Sequence, residues 1–163
     1  MSNNSVTSMS TLYNVALVTV DNLPNDMLLI SRMFSKIAEE NINIDMISQS
    51  TPYKGKINIS FSMPADNIAR VIALLNAYKG SVPDLRVGID SNSTKISVFG
   101  QAMKEIPGVA ARLFRLLAAN EIEVKLITTS EVDISLLIYD KDTDRAVSAV
   151  KEEFRLYLKP QAF

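Results

Sequence analysis

Apolar and polar residues alternate along this chain with two periods, and the switches between them divide it into elements. Leu12 to Val20, LYNVALVTV, is dense in β-branched and aliphatic residues and predicts a strand. Asp21 to Asp26, DNLPND, predicts a turn ending in a helix N-cap at Asn25 or Asp26: Asn and Asp accept from nearby amides, and Pro24 fixes its own φ. Ile30, Met33, Phe34 and Ile37 then fall at helical spacing, one face inward. Asn43 to Ser50 alternates as a half-buried strand, TPYKG at Thr51 to Gly55 is a hairpin turn, and Lys56 to Met63 is its partner, with Ile57, Ile59 and Phe61 on one face. Asp66 is expected to cap a second helix carrying Ile68, Val71, Ile72 and Leu75, and Leu85 to Ile89 to form a short strand.

After a polar linker at Asp90 to Thr94 the pattern starts again. Lys95 to Gly100 predicts a strand, QAMKEIPG a loop, and Ala110, Leu113, Phe114 and Leu117 the inward face of a helix. Two strands follow, Glu123 to Thr129 and Val132 to Tyr139, then a helix capped by Asp142 with Ala146, Val147, Val150 and Phe154 inward. Residues 1–10 read as a polar tail, and Leu156 to Phe163, with Pro160, leaves a fourth strand of this half open.

The recurrence is literal. Arg32 to Ser50 and Arg112 to Ser130 align without gaps at an offset of eighty, sharing Arg32/Arg112, Phe34/Phe114, Ala38/Ala118, Ile42/Ile122, Ile47/Ile127 and Ser50/Ser130. The matching Arg, Ala and Ser go beyond shared periodicity and indicate a tandem duplication. Each copy reads β-α-β-β-α-β, the order of a ferredoxin-like unit: an antiparallel sheet with both helices on one face, hence an α+β protein. A unit of roughly 75 residues is marginal alone, so the copies are expected to pack on each other or on another subunit. The expected division is 11–90 and 91–163, with 1–10 a tail or, less obviously, a short strand at Val6 to Ser10.

Composition narrows the chemistry. The 17 basic and 18 acidic residues give a net charge of -1, with no basic run to follow a phosphate backbone, so nucleic acid is not an expected partner. Neither Cys nor His occurs, which removes disulfides, thiolate nucleophiles and the commonest general base and metal ligands. No catalytic residue, metal or cofactor is expected. No apolar run reaches the ~18 residues of a membrane span, and the polar start is not a signal peptide, so the expectation is a cytoplasmic protein without membrane contact. The five glycines are scattered, which excludes a phosphate loop, and Glu39/Glu40 and Glu152/Glu153 are sequence neighbours that do not face each other on a helix.

What remains is the strand-loop-helix junction of each copy, Asp21 to Ile30 and Gln101 to Ala110. A helix start presents unpaired N–H groups to a small carboxylate, and Asn43, Asp45 and Gln49 could face an ammonium group. That combination suits a free amino acid; a plain polar strand face accounts for the same residues equally well.

The motifs IPGVAARLFRLLAAN at Ile106 to Asn120 and LITTSEVDISLLI at Leu126 to Ile138 resemble the second ACT domain in the regulatory region of aspartate kinases, and NINIDMISQS at Asn41 to Ser50 resembles the first. The resemblance covers about residues 6 to 156. It implies ferredoxin-like modules that bind lysine or threonine, dimerise through the ACT domains and act on an aspartate kinase catalytic domain, in cis or as a separate chain. It also implies that Val6 to Ser10 supplies a strand to the second unit. Carried over by motif, the effector pocket falls on Asn25, Asp26 and Ile30, with Asn43, Ile44, Asp45 and Gln49, and from the second domain on Val109, Ala110, Glu123, Val124, Ser130 and Glu131. Two positions depart from the pattern. Met27-Leu28 stands where Pro-Gly is expected, although Pro107-Gly108 is intact in copy two, and Glu123-Val124-Lys125 replaces an Asn-hydrophobe-acid triplet. No kinase domain is represented. The alternative to an amino-acid sensor is an oligomerisation scaffold without a working pocket.

Overall fold

The computed structural model describes residues 5–157. They form two compact units, residues 14–93 and residues 5–13 with 94–157. The elements are β1 (Ser8–Pro24), α1 (Met27–Glu39), β2 (Ile47–Gln49), β3 (Lys56–Pro64), α2 (Ile68–Asn76), β4 (Arg86–Phe99), α3 (Val109–Ala119), β5 (Val124–Thr129), β6 (Asp133–Tyr139) and α4 (Thr143–Phe154). In residues 14–93 the strands lie in the order β2-β3-β1-β4, with β1 and β2 antiparallel to β3. Ile57, Ile59, Phe61 and Met63 of β3 share one core with Ile30, Met33 and Ile37 of α1 and Val71 and Leu75 of α2, so both helices cover the same sheet face. The other unit repeats the plan in the order β1-β4-β6-β5, its core joining Ile134, Leu136 and Ile138 to Leu113, Leu117, Ala146 and Val150. Each unit is a ferredoxin-like α+β fold with its own core.

The start of the chain completes the second unit. Val6 is fully buried in that core, the Thr7 N–H donates to the Phe99 carbonyl at 2.8 Å, and β1 begins at Ser8. Residues 1–10 are therefore not simply a tail over the described stretch. Residues 158–163 lie outside the described residues.

The repeated letters have a repeated geometry. α1 and α3 both end in a left-handed residue, Asn41 (φ 56°) and Glu121 (φ 52°). The Asn41 N–H donates to Ala38 O (2.9 Å) and the Ile42 N–H to Ile37 O (3.4 Å), while Glu121 bonds Ala118 (3.1 Å) and Ile122 bonds Leu117 (2.9 Å). This is a Schellman stop, whose apolar C″ and C3 residues are Ile42/Ile37 and Ile122/Leu117. Likewise Ser50 and Ser130 close their hairpins: the Ser50 N–H donates to Asn58 O while its Oγ accepts from the Asn58 N–H, and the Ser130 N–H donates to Asp133 O.

Several expectations need correction. The strand read as Leu12 to Val20 extends over Ser8–Pro24, so Asp21 to Leu23 is not a turn: Asn22 (φ 57°) forms a bulge, where the register against β3 shifts. The linker at Asp90 to Thr94 lies inside β4, and Thr94 is fully buried with its hydroxyl 2.8 Å from Asp140 Oδ1. The strand at Asn43 to Ser50 shortens to Ile47–Gln49. Asp66 does not cap α2: a turn of 3-10 helix precedes it, Asn67 holds the cap position, and the Asp66 carboxylate accepts from Asn14. Asp142 holds the N-cap position of α4, but its carboxylate takes the Arg145 guanidinium at 2.8 Å instead of a backbone amide. Phe114 faces solvent, because Leu116 joins the buried stripe of α3 in its place.

Candidate functional site

The start of α3 is built by Ile106-Pro107-Gly108. One turn of 3-10 helix, Gln101–Lys104, brings the chain out of β4. Gly108 then adopts φ 92°, a left-handed conformation that a residue with a Cβ disfavours, and serves as N-cap. Its carbonyl accepts the first helical bond, from Arg112 N–H at 3.0 Å, but no side chain caps α3. The first-turn N–H groups, at the positive end of the helix dipole, thus have no protein anion on them. Facing them, the end of β5 and its turn contribute Thr129, Ser130 and Glu131 to a cleft of about 270 Å³. Ile106, Val109 and Ile134 supply apolar wall, and no Lys or Arg lines it. Ser130 Oγ accepts from the Val132 N–H at 3.3 Å and keeps its own proton for a ligand. Such a cleft can hold a small zwitterion: amides for a carboxylate, Glu131 for an ammonium, an apolar wall for a short side chain.

Of the expected second-domain residues, Val109, Ala110, Ser130 and Glu131 come together here. Glu123 and Val124 do not. They stand at the opposite end of β5, six or seven residues from Ser130 and so about 20 Å away along the strand. Val124 packs partly against the core, and Lys125, in the bulge between Val124 and Leu126, lies with its Nζ 4.0 Å from the centroid of the Tyr139 ring. Met103, Ile106, Thr129 and Ile134 also line the cleft and were missed by the carry-over. The alternation of β6 marks Ile134 as inward, but only the folded chain sets it beside the helix start.

The equivalent junction of residues 14–93 is different. Asp26, in extended conformation (φ -121°), caps α1: its Oδ1 accepts from Leu28 N–H at 2.9 Å and Leu29 N–H at 3.4 Å. The Asn25 N–H donates to Gly55 O at 2.9 Å, and Ile30 is buried in the core. Asn43 and Asp45 are exposed, Ile44 packs partly against the core, and Asp45 N–H donates to Ser62 O at 3.1 Å. Gln49 is exposed on the edge strand β2, opposite Ile59. Among the described residues no cluster of three or more Asp, Glu, His or Cys is placed to hold a metal, and no helix is long and apolar enough to cross a membrane.

A family model described as an ACT domain matches residues 24–78 and 96–154. The aspartokinase of Mycolicibacterium smegmatis is 39% identical over 143 residues, 86% of this chain and 34% of that protein. A crystal structure of aspartokinase alpha and beta subunits superposes with a TM-score of 0.82 at 29% identity, covering 93% of this chain and 99% of that one. E. coli aspartokinase III, solved in complex with lysine and aspartate, shares the fold at a TM-score of 0.72 and 16% identity, over 94% of this chain and 34% of that one. The chain spans about a third of the length of the curated relatives it matches. With both repeats matched by the same model and each folded to the same plan, the chain belongs to the ACT-domain family and is homologous to the regulatory region of aspartokinases.

Proposed function

We propose that this chain is a cytoplasmic regulatory module that binds a free amino acid, lysine or threonine, at the start of α3 and thereby controls an aspartate kinase catalytic domain, in cis or as a separate chain. The observation that carries this reading is the uncapped helix start opening into a cleft with one carboxylate and no cation. The ligand carboxylate takes the first-turn N–H groups of α3, its ammonium faces Glu131 and Thr129, and its carbon chain lies on Ile106 and Ile134. Regulation follows if the ligand favours one arrangement of a homodimer formed through the ACT units, because a ligand shifts an equilibrium only by its differential affinity. Calorimetry and thermal melts with each common amino acid test it. Saturable heat and a raised melting point are expected with lysine or threonine; at a hundredfold excess over Kd, binding adds about 2.7 kcal/mol of stability. The N-acetyl and carboxamide derivatives, which each lack one charge, should fail to bind. No heat with any amino acid at millimolar concentration sinks the proposal.

A scaffold without a pocket is the second reading, and the exposed Met27, Leu28, Ile47 and Tyr53 of the first unit favour it as surface for association. It predicts oligomers whose melting point ignores amino acids.

A further inference from the structure

The duplication supplies its own control, because one junction can be compared with the other at an offset of eighty. Met27 and Leu28 occupy the places of Pro107 and Gly108, yet α1 begins at Met27 while α3 begins only at Val109. The first helix is thus two residues longer at its start. The cause is local. Asp26, where copy two has Ile106, turns its carboxylate onto Leu28 N–H and Leu29 N–H and fixes the two extra residues in helix, whereas Pro107 and the left-handed Gly108 (φ 92°) keep the second copy out of helix until Val109. In helical position these two amides, the second and third of the first turn, match those that α3 leaves without a side-chain cap.

We infer that Asp26 is a tethered stand-in for the effector's carboxylate, which closes the α1 junction and limits the chain to one bound amino acid, at α3. The inference rests on the proposed function above. A second carboxylate arriving at α1 would meet a charge of the same sign, and amides already engaged by a group whose freedom was lost on folding rather than on binding. It would also meet Leu28 at the place where copy two has a glycine lining its cleft. The first unit is then held in the capped state whatever the effector concentration, and sensing falls to the second unit alone. Each chain titrates as a single class of sites.

Calorimetry with lysine and threonine on the full chain should give one molecule per chain. The triple exchange Ile106→Asp, Pro107→Met, Gly108→Leu, which writes the first junction into the second, should weaken that binding more than tenfold. The reverse exchange, Asp26→Ile, Met27→Pro, Leu28→Gly, should add a second molecule per chain. If that variant does not fold, Asp26→Gly serves, because glycine is tolerated at an N-cap while vacating the amides. In amide NMR spectra, effector should move the Ala110 and Ala111 signals and leave Leu28 and Leu29 in place. Two molecules per chain in the parent protein, or effector-driven shifts at Leu28 and Leu29, would overturn the inference and leave the proposed function standing. No binding by the parent but binding by Asp26→Gly would overturn the proposed function and, with it, the single site at α3, leaving only the closure of α1 by Asp26. Silence in both would remove both.

Discussion

Gly100 shows how far apart in sequence the determinants of a single residue can lie. A Cβ placed there would collide with the backbone carbonyl of Ser5, which crosses it as the chain start enters the second core. Nothing within ten residues of Gly100 announces that constraint. Gly100→Ala should therefore cost about 1–3 kcal/mol through forced backbone displacement, read as a lower urea midpoint with an unchanged m-value. The pair Phe34 and Phe114 makes the same point from the other side. Phe34 packs edge-on against Phe61 (5.5 Å between centroids), whereas Phe114, its partner in the repeat, is 44% exposed. Helical spacing placed both inward. Leu116, standing where copy one has the exposed Lys36, draws the buried stripe of α3 around the helix and leaves Phe114 outside. By contrast the cap at Asp26, the Pro107-Gly108 turn and the polar end of β5 are properties of a few adjacent residues, and the sequence displays them directly.

Among the elements, β1 and β4 are where local reading failed. Both are long, 17 and 14 residues, and each passes from one unit into the other. Asn14, Asn22 and Asn92, with φ of 54°, 57° and 55°, lie within them without ending them, and at Asn22 the register against β3 shifts. Asparagine tolerates the left-handed region, so the residue type that signals a turn in sequence stays inside a strand here, and at Asn22 marks a bulge. The hairpin at Thr51 to Gly55 fared better. Lys54 and Gly55 both have positive φ, and Tyr53 and Lys56 exchange two backbone bonds, as a two-residue turn of this hand requires. The terminal segment is the element on which the second unit leans: Val6→Ala, at a fully buried position, should lower stability by roughly 1–3 kcal/mol, and hydrogen exchange should quicken first in β4 residues Ile96 to Phe99, beside it.

At the scale of the whole molecule, the first unit presents the three-residue edge strand β2, with Ile47 51% exposed, and also exposes Met27 and Tyr53. If ACT units associate through such surface, the melting point should rise with protein concentration, and Ile47→Lys should flatten that dependence while leaving the melting point at high dilution nearly unchanged. The sequence by itself determined the duplication, the βαββαβ order of each copy and the likeness to aspartokinase regulatory domains, because these rest on short-range pattern and on wording repeated within a few positions. Only the tertiary structure decided that β1 and β4 run unbroken, that Ile134 meets the start of α3 and that Glu123 stays away from it. Those outcomes turn on which distant strands bury the most apolar surface together while keeping every backbone amide paired, a balance that no window of neighbouring residues contains.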